Sequence, residues 1–126
     1  MKFISVIPLM KCIDMDESLD FYTRILDFIE DGRWPVMGSP SFCHLHRDNI
    51  HLQLSTHSGD GVVGNAVTIV VEDIDKLCNE YLSRGLDTSQ KAASPVHQTP
   101  LDQTWGWREF YVTDPSGNTL RFSQKL

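Results

Sequence analysis

Histidines and a glutamine alternate along two short segments that could carry metal chemistry. If residues 48–49 form a two-residue turn, His46 faces His51 and His44 faces Gln53. All four side chains then share one face of a hairpin. Imidazole is a common ligand of transition metals, so this face could bind such an ion. The alternative is that the imidazoles beside the turn are simply solvated.

Four large aromatic side chains occur where they could bind a flat ligand. Trp34 and Phe42 flank a loop in the first half of the chain, whereas Trp105 and Trp107 begin the last hairpin. Aromatic faces stack on flat molecules and attract cations, so either pair could form the rim of a binding cavity. The same rings are equally suited to a protein core or to a subunit contact.

Nucleophilic and phosphate-binding chemistry has little support in the sequence. The spacing suggests no Ser-His-Asp or Cys-His arrangement, and the Gly-rich stretch 58–64 lacks the helix that follows a phosphate-binding loop. Segment 93–103 is polar and contains two prolines ahead of the tryptophan pair. Such a loop could close over a ligand or merely connect two strands.

The charge balance excludes some partners. Seventeen acidic and eleven basic side chains give a formal net charge of −6. A surface for nucleic acid needs basic residues to neutralise phosphates, so we expect no nucleic-acid partner. The negative charge favours a cationic ligand, although it also serves solubility.

Length and cysteine usage indicate a single cytoplasmic domain, 1–126. A chain of 126 residues can bury a core without a metal or a disulfide. The three cysteines lie far apart and form no Cys-x-x-Cys pair, as expected for free thiols in a reducing cytosol. The apolar run 3–10 is too short to cross a membrane, so we expect no membrane partner.

The elements that must position these residues begin with a strand and a helix. The first half predicts a strand at 3–12, a helix from an Asp14 cap to about Leu26, and a strand near 28–34, followed by the hairpin described above. Apolar residues at spacings of three and four predict that one stripe of the helix packs against a sheet.

The second half repeats this order after a linker at 58–64. It predicts a strand at 66–72, a helix from Ile74 to Gly85, a weak strand around 87–91, and a closing hairpin with a turn at 114–117. The order β-α-β-β-β therefore occurs twice, which predicts an α+β fold.

A faint internal repeat supports two modules. Sliding the chain by 59 residues, the separation of Asp14 and Asp73, also places Tyr22 on Tyr81. The predicted modules are 1–57 and 65–126, joined by the linker 58–64.

The last hairpin resembles that of the bleomycin-resistance proteins, a branch of the glyoxalase-like vicinal oxygen chelate superfamily. The residues that carry the resemblance are Trp105, Gly106, Arg108, Glu109 and Phe110, the turn 114–118 with the sequence Asp-Pro-Ser-Gly-Asn, and Arg121. Segments 15–28 and 71–85 are similar to the two helices of that superfamily. The resemblance implies two βαβββ modules that form a curved mixed sheet with the helices outside.

The same resemblance implies that the chain lacks the metal site of the enzymatic members. Their four ligand positions fall here on Ile7, Gln53, Ala66 and Arg121. Two of these side chains have no donor atom, and Arg121 is a permanent cation. We therefore expect no metal or other cofactor, and the Lewis-acid mechanism of those enzymes has no basis here.

The bleomycin-resistance branch implies a function without catalysis. Its members are dimers that hold a drug in crevices at the subunit interface, so we expect a homodimer that sequesters a bulky cationic or aromatic antibiotic. The expected ligand-binding residues are Trp34, Phe42, Gln53, Ser55, Trp105, Trp107 and Arg121.

Two other functions remain open. One is a metal-dependent glyoxalase-like lyase or dioxygenase with a displaced metal site around His44, His51 and Gln53. The other is the same fold binding an unrelated metabolite, because one fold hosts many activities.

Overall fold

The strand order is the same in both halves of the chain. The computed structural model describes residues 1–89 and 99–126, which form two four-stranded sheets and two helices. In the first half these elements are β1 (Leu9–Lys11), α1 (Met15–Asp20, continued by a π-helical turn at Phe21–Ile25), β2 (Ile29–Trp34), β3 (Phe42–Arg47) and β4 (Ile50–Ser55). In the second half they are β5 (Ala66–Val70), α2 (Ile74–Ser83), β6 (Leu101–Asp102), β7 (Trp107–Thr113) and β8 (Thr119–Lys125).

Each half forms its own mixed sheet. Sheet A has the order β1-β4-β3-β2 and sheet B the order β5-β8-β7-β6. Strand β1 runs parallel to β4, and β5 runs parallel to β8. All other neighbouring strands are antiparallel. This arrangement confirms the predicted α+β class and the two βαβββ modules, although the strands form two sheets rather than one.

Both helices begin and pack as their sequences predict. The side chain of Asp14 accepts a hydrogen bond from the Glu17 amide at 2.9 Å, and that of Asp73 accepts one from the Lys76 amide at 3.1 Å. Each carboxylate thereby satisfies an amide that the helix leaves unpaired. The apolar stripes of both helices contribute to one continuous core, which also contains the inner faces of the sheets.

The last turn joins the two modules. The buried Asp114 carboxylate accepts hydrogen bonds from the Tyr22 hydroxyl at 2.8 Å and from the Asn118 amide at 2.8 Å. The Asn118 side chain donates to the Lys11 carbonyl at 2.7 Å and accepts from the Asn65 amide at 3.0 Å. The turn that the sequence identifies as a hairpin signal therefore also holds β1 beside β5.

Two predicted strands are wrong in extent or position. Strand β1 begins at Leu9, not at residue 3, because the hydrogen bonds to β4 begin at the Pro8 carbonyl. Residues 86–88 form no strand, and the second strand of the second module is Leu101–Asp102, inside the segment predicted as a loop. Residues 90–91 of the predicted strand and 93–98 of that loop lie outside the described residues.

No helix in residues 1–89 or 99–126 combines the length and the apolar character needed to cross a membrane.

Candidate functional site

The face of sheet A that points away from the core carries a polar and aromatic surface. Along β3, Cys43 and Leu45 are buried against the core, while Phe42, His44 and His46 point to the other side and are half-buried. This alternation is the two-residue period of a strand with one face in the core. We call this surface, on the side of sheet A away from the core, face A.

The hairpin register predicted from the sequence is confirmed. His46 pairs with His51 and His44 pairs with Gln53, across a turn in which Asp48 has a φ of 51°. Aspartate tolerates this left-handed conformation better than most residues. The three imidazoles lie close together, with ring centroids 5.3 Å apart for His44 and His51 and 5.9 Å for His46 and His51.

A carboxylate that sequence reasoning missed completes this histidine cluster. Asp31 lies at an irregularity in the pairing of β2 with β3, between Glu30 and Gly32. Its carboxylate is 2.7 Å from Nδ1 of His46. A β-bulge can turn a side chain toward the face of the sheet opposite to the one that regular alternation predicts. Gly32, directly after Asp31, is the one signal in segment 29–34, because a glycine inside a strand often marks a bulge. It does not show which face the side chain of Asp31 reaches.

An aromatic platform lies beside the cluster. Trp34 and Phe42 are paired across β2 and β3, with ring centroids 6.2 Å apart and ring planes tilted by 33°. The indole lies over Gly32, where an added Cβ would come within 2.5 Å of the ring. Trp34 remains 58% exposed, so its face is accessible to a ligand.

The other two predicted residues of sheet A occupy different environments. Gln53 is half-buried on face A between Leu9 and His44. Ser55 is fully buried, and its hydroxyl donates to Asp60 at 2.6 Å while accepting from the His57 amide at 3.0 Å. Ser55 therefore fixes a loop instead of presenting a free hydroxyl.

A cleft adjoins the platform at this loop. Its volume is about 490 Å³, and it is open to solvent. It is lined by Pro40, Phe42, His57, Ser58, Gly59 and Asp60. Phe42 thus belongs both to the aromatic platform and to the wall of the cleft.

The face of sheet B that points away from the core, which we call face B, is built around a buried carboxylate. Glu109 is 1% exposed, and its oxygens accept hydrogen bonds from the Ser123 hydroxyl at 2.5 Å and from the Trp105 indole at 3.1 Å. The Arg121 guanidinium is 3.5 Å from Glu109 and 4.8 Å from the centroid of the Tyr111 ring. A carboxylate in so dry a place needs these partners, because burying an unpaired charge is costly.

The two tryptophans of the last hairpin differ in exposure. Trp105 is 55% exposed and lies in the turn before β7, while Trp107 is half-buried with the Lys125 ammonium 5.7 Å from its ring centroid. The structure thus divides the predicted ligand residues into two groups. Trp34, Phe42 and Gln53 lie on face A, whereas Trp105, Trp107 and Arg121 belong to face B.

Three of the four positions that the resemblance assigns to the metal of the enzymatic members do not fit a divalent ion here. Ile7 precedes β1, and Ala66 begins β5, and neither side chain has a donor atom. Arg121 occupies the position on β8 and is paired with Glu109. A guanidinium cannot be deprotonated in a protein and repels an incoming cation.

A family model for the glyoxalase/bleomycin resistance protein/dioxygenase superfamily matches residues 9–122. The chain belongs to this superfamily. The match spans both modules, in agreement with the repeated strand order of the two sheets. A sequence comparison with curated proteins found no significant match.

Solved structures of bleomycin-binding proteins are among the members with a similar fold. The bleomycin-binding protein from Streptomyces verticillus, complexed with copper(II)-bleomycin, is 26% identical, with a TM-score of 0.73 over 100% of this chain and 99% of the other. A bleomycin-binding protein complexed with bleomycin is 21% identical, with a TM-score of 0.75 over 98% and 100%. The bleomycin resistance determinant encoded on transposon Tn5 is also 21% identical, with a TM-score of 0.74 over 98% of each chain.

Proposed function

We propose that this protein binds a bulky, cationic and aromatic small molecule of the bleomycin type and releases it chemically unchanged. The observation that carries the proposal is the exposed aromatic platform of Trp34 and Phe42 on face A. A flat ring system can stack on the accessible indole, and a cationic group is attracted to the same aromatic face. The similarity in fold to bleomycin-binding proteins supports the choice of ligand.

The functional form is a homodimer in which face A of one protomer and face B of its partner enclose each ligand. In a single chain one tryptophan on each face is open, since Trp34 is 58% exposed and Trp105 is 55% exposed. The N-terminal segment adds apolar surface, because Phe3, Ile4 and Val6 are 88%, 86% and 92% exposed. A contiguous exposed apolar segment is characteristic of a subunit contact.

The predicted site residues take distinct roles in this crevice. Trp34 and Phe42 form one stacking surface, Trp105 and Trp107 form the other, and Gln53 offers hydrogen bonds on face A. Arg121 and Ser55 act as positioning residues, because their polar groups hold Glu109 and Asp60. The net charge of −6 favours the approach of a cationic ligand.

A cytoplasmic location is consistent with the thiols. Cys12, Cys43 and Cys78 are free and buried. Burial raises the pKa of all three thiols, that of Cys43 to about 12. No disulfide contributes to the fold, as expected for a protein in a reducing compartment.

Calorimetric titration with bleomycin tests the proposal. We expect saturable heat at one ligand per chain, recovery of unmodified drug, and a roughly fivefold weaker affinity for Trp34→Ala, since stacking contributes about 1 kcal/mol. Trp34→Phe should retain most of the affinity, because it keeps an aromatic face. Leu82→Ala, on the exposed side of α2, is the matched control and should bind like the wild type.

Two results would reject the proposal. The first is the absence of heat at high micromolar bleomycin. That result would show that bleomycin is not the ligand, and the fold assignment would still stand. The second is an unchanged affinity in Trp34→Ala, which would place the ligand elsewhere on the protein.

A further inference from the structure

We infer that Asp31, His44 and His51 form a binding site for one divalent transition-metal ion on face A. A ligand atom of each residue lies within 4.8 Å of those of the other two. The three residues come from β2, β3 and β4. None of them is among the four positions that the resemblance assigns to the metal of the enzymatic members. The inference does not depend on the proposed drug binding.

The two imidazoles are already at the separation that a shared ion requires. Nε2 of His44 is 3.1 Å from Nδ1 of His51. Two nitrogens bound to one tetrahedral zinc ion at about 2.0–2.1 Å lie roughly 3.3 Å apart, and roughly 3 Å apart at a right angle. An ion can therefore replace the proton that the two nitrogens share, with no movement of the strands.

The carboxylate supplies a third donor from a flexible position. Asp31 lies at the bulge of β2 and is exposed, so rotation of its side chain can bring an oxygen to the ion. His46 also contacts Asp31, with its Nδ1 2.7 Å from Oδ1 of the carboxylate. An imidazole that holds a ligating carboxylate is a typical outer contact of a metal site.

The donor set selects the class of ion. Two imidazole nitrogens and one carboxylate oxygen suit Zn²⁺, Ni²⁺ and Cu²⁺, whereas Mg²⁺ and Ca²⁺ prefer oxygen ligands alone. His51 and Asp31 are exposed, so the remaining coordination positions are open to water or to nitrogen and oxygen donors of a ligand. Such a ligand would lie next to Phe42, which neighbours His44 on the same face of β3.

Titration of untagged protein with Ni²⁺ or Cu²⁺, in the absence of any drug, tests the site. We expect one ion per chain, and at least a roughly tenfold loss of affinity in both His44→Ala and His51→Ala. His57→Ala is the matched control, because His57 is an exposed histidine outside the cluster. It should bind the ion as the wild type does, and all variants should keep the wild-type circular dichroism.

The position of the ion can be tested separately by the ligand chemistry. Asp31→Asn should weaken binding less than either histidine variant, since an amide oxygen remains available. The absorption spectrum of bound Co²⁺ should change in Asp31→Asn and not in His57→Ala.

Several outcomes would overturn the inference. These are no saturable binding at about millimolar Ni²⁺ and Cu²⁺, an equal loss in His57→Ala and His44→Ala, or an unchanged Co²⁺ spectrum in Asp31→Asn. Since no drug is present in these measurements, their failure would leave the proposed function untouched.

Discussion

At the scale of single residues, the contact between Gly32 and Trp34 is the most specific feature of face A. A Cβ at position 32 would lie 2.5 Å and 2.7 Å from two carbons of the indole ring. We predict that Gly32→Ala displaces the exposed indole and weakens bleomycin binding several-fold. The free energy of unfolding should change by less than about 1 kcal/mol, because only the far end of an exposed side chain must move.

Tryptophan fluorescence and calorimetry measure these effects. Leu82→Ala is again the control, because Leu82 lies on the exposed side of α2. If Gly32→Ala keeps both the wild-type fluorescence and the wild-type affinity, the indole does not form part of the ligand surface.

Arg121 is expected to act on stability as well as on the site. Its removal in Arg121→Ala leaves the buried Glu109 carboxylate without a charge partner. We predict a loss of about 1–3 kcal/mol in the free energy of unfolding, measured by urea denaturation. The control Arg24→Ala breaks an exposed ion pair with Asp20 and should cost less than about 0.5 kcal/mol. Equal losses would contradict the role given to Arg121.

Some single residues could not be placed from the sequence. Asp31 reaches face A only through a bulge, which depends on how β2 pairs with β3. Ser55 alternates correctly for face A, yet it is buried by the loop that carries Asp60. Alternation gives the side of a strand, but it does not show what a neighbouring loop covers.

At the scale of elements, local signals were reliable where the chain interacts with itself at short range. The register of β3 and β4 follows from a two-residue turn, and both helices follow from their caps and apolar stripes. Strand β1 was predicted too long, because an apolar run does not reveal whether a partner strand exists.

The turn at 114–118 should be a major contributor to stability among the connections. Asp114→Ala would remove the acceptor for the Tyr22 hydroxyl and for the amides of Ser116 and Asn118. We predict a loss of about 3 kcal/mol in the free energy of unfolding, since buried donors would be left unpaired. Asp87→Ala, which removes an exposed acceptor for the Ser89 amide, should cost less than about 1 kcal/mol. A similar cost for both variants would show that the turn does not join the modules energetically.

At the scale of the whole molecule, the exposed N-terminal segment predicts self-association. Replacing Phe3 and Ile4 by aspartate in one variant should convert a dimer into a monomer, because charges would enter an apolar contact. Light scattering during gel filtration gives the mass. The control Val62→Asp, an exposed residue of the linker, should remain dimeric. A monomeric wild type would contradict the dimer.

The most direct test of the shared crevice is a subunit-mixing titration. Trp34→Ala damages face A, and Trp105→Ala damages face B, so in each homodimer every crevice carries one defect. When the two variants are unfolded and refolded together, a mixed dimer regains one intact crevice. We predict that calorimetry with bleomycin then finds wild-type affinity at about one ligand for every four chains. If the mixture binds no better than either variant alone, faces A and B of different protomers do not enclose the ligand together.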